Sequence, residues 1–167
     1  MRFAVPLIII LLLITLISVM FLSMGDVQEM TVVYPDNMSK DPVEMDREHF
    51  QCSECGMVIS DLHFAAQIVS ADGKTWFFDD LGCMAAWEKG ARFDYEPTIW
   101  VPDLISGEWI DGRTAWYSRT DTTPMSYGFG AYSVKSEQYV DFESMQKHML
   151  RGETLANPEI RRELLEN

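Results

Sequence analysis

The chain has 167 residues, with 26 acidic against 13 basic side chains and a formal net charge of −13 at pH 7. Such a chain has no basic stripe to neutralise phosphates, which excludes a nucleic-acid-binding role. Its three cysteines cannot all pair within one chain, which excludes a closed disulfide framework.

From Phe3 to Gly25 no charged residue occurs, and Leu7 to Leu13 consists of Leu and Ile alone. As a helix this run is about 34 Å long at 1.5 Å per residue, against a hydrocarbon core of about 30 Å. A cleaved signal peptide has a shorter apolar region and a small-x-small site. Ser23-Met24-Gly25 matches such a site poorly, and no cysteine follows for lipid attachment. Residues 1–25 are therefore expected to form an uncleaved, single-pass anchor in the cytoplasmic membrane, with a cleaved signal peptide as the alternative. Arg2 and the free amine place the N-terminus in the cytoplasm and the rest of the chain on the periplasmic, extracytoplasmic side.

Residues 26–50 are polar and acidic, carry Pro35 and Pro42, and show no sustained periodicity. They read as a stalk, and its Met30, Met38 and Met45 read as incidental. The remainder, about 140 residues beyond the apolar run, suits one compact core or two very small lobes.

Cys52-Ser53-Glu54-Cys55-Gly56-Met57 brings two thiols and a thioether into six residues. These soft sulfur donors favour Cu(I), whereas structural zinc sites use Cys and His without Met. Gly56 allows the backbone to turn tightly enough to return Met57 towards Cys55. His63 follows closely enough to add a nitrogen ligand, and His49 precedes at a similar remove.

Phe64 to Ser70 reads as a strand, Ala71-Asp72-Gly73-Lys74 as a hairpin turn, and Thr75 to Phe78 as the returning strand. Asp79 or Asp80 can cap a helix that runs through Cys83, Met84, Trp87 and Glu88 to Gly90. Leu81, Met84 and Trp87 recur at helical spacing, so this face is expected to cover the hairpin. Cys83 stands in the first turn, where a helix N-terminus lowers a thiol's pKa and favours a thiolate ligand. A small buried core residue is the competing reading for Cys83.

After Glu96-Pro97, Glu108-Trp-Ile and Arg113 to Tyr117 flank Asp111-Gly112, a strong hairpin signal. Pro124-Met125 sits in a loop, and Gly130 to Val134 reads as another strand. Met125 is a candidate ligand on that loop, with core filling as its alternative. Asp141 is expected to cap a helix with Phe142, Met145 and Met149 on its apolar face, ended by Gly152. Residues 153–167 read as a polar C-terminal helix. The paired Asp72-Gly-Lys-Thr and Asp111-Gly-Arg-Thr runs hint at two related ββα units. No nucleotide-cradling glycine loop and no nucleophile with a His and carboxylate partner is visible, so an enzyme is not expected.

Cys52-x-x-Cys55-Gly56-Met57, Phe64 to Ile68, Trp76 to Met84, Trp109-Ile110-Asp111 and Pro124-Met125-x-x-Gly128 together resemble the NosL family of nitrous oxide reductase accessory copper proteins. The resemblance runs over roughly residues 50–145. It implies an α+β fold of two small ββα-type lobes within residues 51–152, which the uncharged run read above would precede as an N-terminal transmembrane helix. It also implies Cu(I) binding through Cys55 and Met57, while Cys52, Cys83, Met125 and His63 are the further candidates that the residues themselves offer. The expected role is that of a metallochaperone whose partner is nitrous oxide reductase or its assembly machinery. Members of that family are typically lipoproteins, from which this chain departs. Two rivals stand beside this reading: a thiol-disulfide oxidoreductase using Cys52 and Cys55, and a zinc-stabilised interaction module using Cys52, Cys55 and Cys83.

Overall fold

In the computed structural model, the described residues are 4–23 and 30–166, with side chains of the first helix described for residues 6–21. Among them are four α-helices and seven strands, an α+β fold.

Helix α1 (Ala4–Ser23) is apolar all round, and its large side chains from Leu7 to Phe21 stand exposed. Among the described residues no helix is long and apolar enough to cross a membrane. The expected single-pass anchor, and with it the assignment of the chain to the cytoplasmic membrane and its periplasmic side, is corrected accordingly. The apolar side chains described there, residues 6–21, cover about 24 Å at 1.5 Å per residue, against a hydrocarbon core of roughly 30 Å. Met24 and Gly25 of the suspected cleavage site, and residues 26–29 of the expected stalk, lie outside the described residues.

Five strands form one antiparallel sheet in the order β1-β3-β2-β4-β5: β1 (Val33–Tyr34), β2 (Ala66–Val69), β3 (Thr75–Phe78), β4 (Thr98–Pro102) and β5 (Trp109–Asp111). The two hairpins β2–β3 and β4–β5 are joined through the β2–β4 pair, Ile68 opposite Ile99. The expected pair of ββα lobes is therefore corrected to one fused sheet, because both hairpins share a common hydrophobic core.

Strand alternation sorts the side chains onto two faces. Ala66 and Ile68 lie beside Phe78 and Trp76 in register, and this face is covered by α2 (Leu81–Gly90). Trp87 of α2 packs on Trp76 and Phe78, ring centroids 5.1 and 5.3 Å away. Burying side chains of this size contributes about 1.5–3 kcal/mol each. Helix α3 (Phe142–Leu150) begins at Asp141, whose carboxylate accepts from the Ser144 N–H, and packs against α2. A small second sheet, β6 (Trp116–Tyr117) with β7 (Ala131–Tyr132), completes this side. Helix α4 (Pro158–Glu166) ends the described chain.

Gln67, Phe77 and Trp100 point to the opposite face, and residues 30–52 lie across them. Phe50 packs on Phe77 with ring centroids 4.6 Å apart. The Gln67 side-chain amide donates to the Val43 carbonyl and accepts from the Val43 N–H, both at 2.8 Å. Trp100 Nε1 donates to the Lys40 carbonyl at 2.7 Å. Residues 30–50, expected as an irregular stalk, are thus a layer of the domain, and Met45 is buried in its core rather than incidental.

The two Asp-Gly turns part ways. Gly73 takes φ +82 and closes the β2–β3 hairpin, with Ser70 N–H donating to the Lys74 carbonyl. Asp111-Gly112 does not join paired strands. β5 pairs with β4, and β6 with β7. Gly112 is absent from the positive-φ conformers a tight two-residue hairpin needs. Instead it admits close packing, since a Cβ there would lie 2.6 Å from Ile99 Cγ2. The true partner of β5 is β4, joined through a turn in which Asp103 N–H donates to the Glu108 carbonyl.

Candidate metal centre

The Cys52–Met57 turn is closed by two backbone hydrogen bonds. Gly56 N–H donates to the Cys52 carbonyl at 3.0 Å, and Cys52 N–H donates to the Met57 carbonyl at 2.8 Å. Gly56 adopts φ +73, the left-handed conformation that glycine reaches without strain. Ser53 N–H donates to the Phe77 carbonyl at 2.8 Å, which fixes the turn to β3.

Immediately beyond β3 the chain turns into α2. Asp80 is the cap: one carboxylate oxygen accepts from Gly82 N–H at 2.8 Å. Its other oxygen accepts from Met125 N–H at 3.0 Å, tying the Met125 loop to the helix start. Gly82 lets that loop come in close, since a Cβ there would lie 2.2 Å from the Tyr127 ring. With Asp80 occupied in this way, Asp79 is left to face the Cys52–Met57 turn, and Cys83 comes round on the first turn of α2.

The result is a cluster of four donors. One ligand atom each from Cys52, Cys55, Asp79 and Cys83 lies within 4.8 Å of all the others. Cys55 Sγ stands 3.5 and 3.6 Å from the two Asp79 carboxylate oxygens. Cys52, Asp79 and Cys83 are buried and form a floor, while Cys55 is exposed and forms the rim.

The charge on this cluster is unevenly shared. A hydrogen bond from Cys83 holds the Cys52 thiol down, to about 7 against an ordinary 9.0. Cys83 is driven the other way, first by that hydrogen bond, then by burial and the Asp79 charge. Cys55 is pushed up to about 11, first by desolvation, with the negative charges of Cys52 and Asp79 adding to it. The expected lowering of Cys83 by the helix N-terminus is therefore corrected: the neighbouring thiolate, burial and the carboxylate outweigh the dipole. Near neutral pH the cluster holds at most one thiolate, shared between Cys52 and Cys83. A cation placed among the donors would favour deprotonation of the other two.

The structure brings three of the six sequence-derived candidates, Cys52, Cys55 and Cys83, into this cluster. Met57 lies two residues beyond Cys55 on the same turn with its side chain half exposed. Met125 is partly buried and packs against the hydrophobic core beside the helix start. His63 sits on a short 3-10 turn (Leu62–Phe64) and is engaged with Asp61, Nδ1 to Oδ1 2.8 Å. His49 is exposed and bonded to the Arg47 carbonyl. Asp79 is the member that sequence reasoning passed over, having weighed it only as a helix cap. The signal was present: two adjacent acids precede a helix that needs one cap, and the spare one stands four residues before Cys83.

No family model matches the sequence, and no curated protein matches it. Its fold is similar to that of the crystal structure of the copper chaperone NosL from Shewanella denitrificans. The TM-score is 0.51 at 18% sequence identity, over 65% of this chain and 87% of that one. The chain thus has a NosL-like fold.

Proposed function

We propose that the chain is a copper metallochaperone that takes Cu(I) as cargo at the Cys52–Cys55–Asp79–Cys83 cluster and passes it to an acceptor. The observation that carries this is the convergence of three thiols from two separate segments, one of them open to solvent. Thiolates are the soft donors that select Cu(I), and the likeness to a copper chaperone points the same way. Exposed Cys55 is the thiol an incoming acceptor sulfur can reach, so transfer proceeds by ligand exchange with no covalent chemistry. Met57 on the same turn is the proposed thioether partner of Cys55. Following the family resemblance, the proposed acceptor is nitrous oxide reductase or its assembly machinery.

Two rivals are weighed on the same geometry. A thiol-disulfide oxidoreductase needs an accessible thiol of low pKa. Here the low one, Cys52, is buried and the accessible one, Cys55, is pushed up, which disfavours that reading. A zinc module is favoured by Asp79, because an oxygen as the fourth donor beside three thiols completes a tetrahedral set.

Anaerobic competition of the full chain and Asp79→Asn against Cu(I) and Zn(II) chelators separates copper from zinc. The expected result is tighter Cu(I) than Zn(II) retention, with Asp79→Asn costing less than about tenfold in Cu(I) affinity, or 1.4 kcal/mol. Tighter zinc retention, abolished by Asp79→Asn, would overturn the copper reading.

A further inference from the structure

The loop that meets the start of α2 is held against its own backbone preference. Thr123 Oγ1 accepts from the Tyr127 N–H at 3.1 Å and from the Gly128 N–H at 3.4 Å, and Ser126 N–H donates to the Thr123 carbonyl at 3.0 Å. The tight turn puts Ser126 at φ +58, a left-handed conformation that non-glycine residues keep only where their surroundings hold them in it. Asp80 supplies one hold, through the Met125 N–H, and Leu155 another, by donating its N–H to the Tyr127 carbonyl at 3.2 Å. What these contacts fix is the side chain of Tyr127. Its Cγ and Cδ2 fill the space that a side chain on Gly82 would take, 2.7 and 2.2 Å from where the Cβ would lie. Gly82 directly precedes Cys83, so the half-buried ring stands at the helix start that carries one thiol of the cluster. After burial, the charges of Cys83, Asp80, Cys55 and Asp79 act on its hydroxyl and push it up, which keeps it a neutral phenol within the field of the cluster.

From this placement we infer that Tyr127 is a wall of the metal centre, whose ring closes the buried Cys83–Asp79 side to small competing ligands and leaves Cys55 as the point of exchange. Cu(I) leaves a thiolate site when an incoming soft donor displaces its ligands one at a time. A centre open on every side would yield its ion to any small soft donor, whereas one open at a single rim yields it to a partner shaped for that rim. Tyr127 acts here through access and not as a ligand, so it is a positioning residue. The left-handed Ser126 beside it fits that role, because strain of this kind collects at ligand clamps and switch regions. The inference rests on the metal-transfer reading above.

The test compares the full chain, loaded with Cu(I) without oxygen, with its Tyr127→Leu and Tyr127→Phe variants. Leu keeps carbon at the ring positions beside Gly82 and removes the outer ring, whereas Phe keeps the ring and removes only the hydroxyl. Copper loss is timed in excess cyanide, a small Cu(I) ligand, and in excess bathocuproine disulfonate, a bulky one. The expected result is loss to cyanide at least about tenfold faster in Tyr127→Leu and within about twofold of the wild type in Tyr127→Phe. Loss to the bulky chelator, confined to the Cys55 rim, should stay near the wild-type rate in both. Equilibrium Cu(I) affinity should also hold in Tyr127→Leu, because a wider opening speeds entry and exit alike, whereas a loosened site loses affinity. Gly82→Ala, which sets a Cβ in the ring's place and leaves Tyr127 intact, should speed loss to cyanide likewise and decides the matter if Tyr127→Leu does not fold. A wild-type cyanide rate in the folded variant, an acceleration matched by lost affinity, or a Tyr127→Phe as fast as Tyr127→Leu would overturn the wall. Failure of the unmodified chain to hold Cu(I) would instead remove the metal reading itself, and so the two failures are distinct.

Discussion

Cys52 and Cys83 stand 2% and 1% exposed, held between the sheet and the first turn of α2, whereas Cys55 and Met57 ride a turn open to solvent. Within the buried pair, Cys83 holds the Cys52 thiol down and is itself pushed up, which sets the charge of the cluster. The open pair has few structural neighbours to satisfy. The contrast teaches that one metal cluster can divide its duties, with a floor that fixes geometry and charge and a rim that trades the ion.

The largest effect should come from exchanging thiols across that division. Cys55→Ser is expected to lower Cu(I) affinity by more than about 100-fold, beyond the 10–100-fold typical of groups that only support a ligand. Its apo thermal stability should stay within about 0.5 kcal/mol of the wild type, as for other surface changes. Cys83→Ala should weaken binding and also destabilise the apo domain, by about 1 kcal/mol or more, because it empties a packed site. Chelator competition and thermal melts on both variants check this. Equal stability losses would erase the floor-and-rim distinction.

A smaller change sharpens the rim. Met57→Leu keeps volume and apolarity at a half-exposed position, so stability should move by less than about 0.5 kcal/mol. Cu(I) affinity should fall by up to about tenfold if the thioether takes part. Unaltered competition would leave Met57 without a part in holding the ion.

The smallest effect is in pH. Between about 7 and 9 the folded apo domain has released the Cys52 proton while the unfolded chain still holds it, so stability should rise with pH. Above about 9 the unfolded chain releases all three thiol protons, whereas folded Cys55 and Cys83 keep theirs, so stability should fall. Denaturant melts of metal-free, reduced protein across this range should show a maximum near pH 9. Cys52→Ser should remove the rising limb.

How much of this was legible in the sequence depended on whether the deciding forces were local. The β2–β3 hairpin, the α2 cap and the apolar faces of α2 and α3 follow from turn chemistry, capping and helical periodicity, and all three were readable. Asp72-Gly73 and Asp111-Gly112 offer the same local chemistry, yet only the first closes a hairpin. At the second, the pairing of β5 with β4 and the packing of Ile99 against Gly112 prevailed. Residues 30–50 carry no periodicity because they are held by long-range contacts to Gln67, Phe77 and Trp100 rather than by a repeating ladder. The three cysteines were visible from their chemistry, and Asp79 was obscured by its neighbour's capping role. At the N-terminus the uncharged run suggested a membrane span, which no helix among the described residues is long and apolar enough to make.

Gln67 carries a consequence for how the molecule opens. Its amide offers Val43 a donor and an acceptor, much as the peptide group of a sixth strand would, but at a single point. A layer attached at points can detach without unzipping the strands beneath it, and regions poor in backbone ladder bonds open at lower free energy than sheet cores. Residues 37–45 are therefore expected to exchange their amides as a separate cooperative unit, ahead of the sheet. The metal turn is tied to β3 by backbone, through Ser53 and Phe77, and stays with the slower-exchanging body.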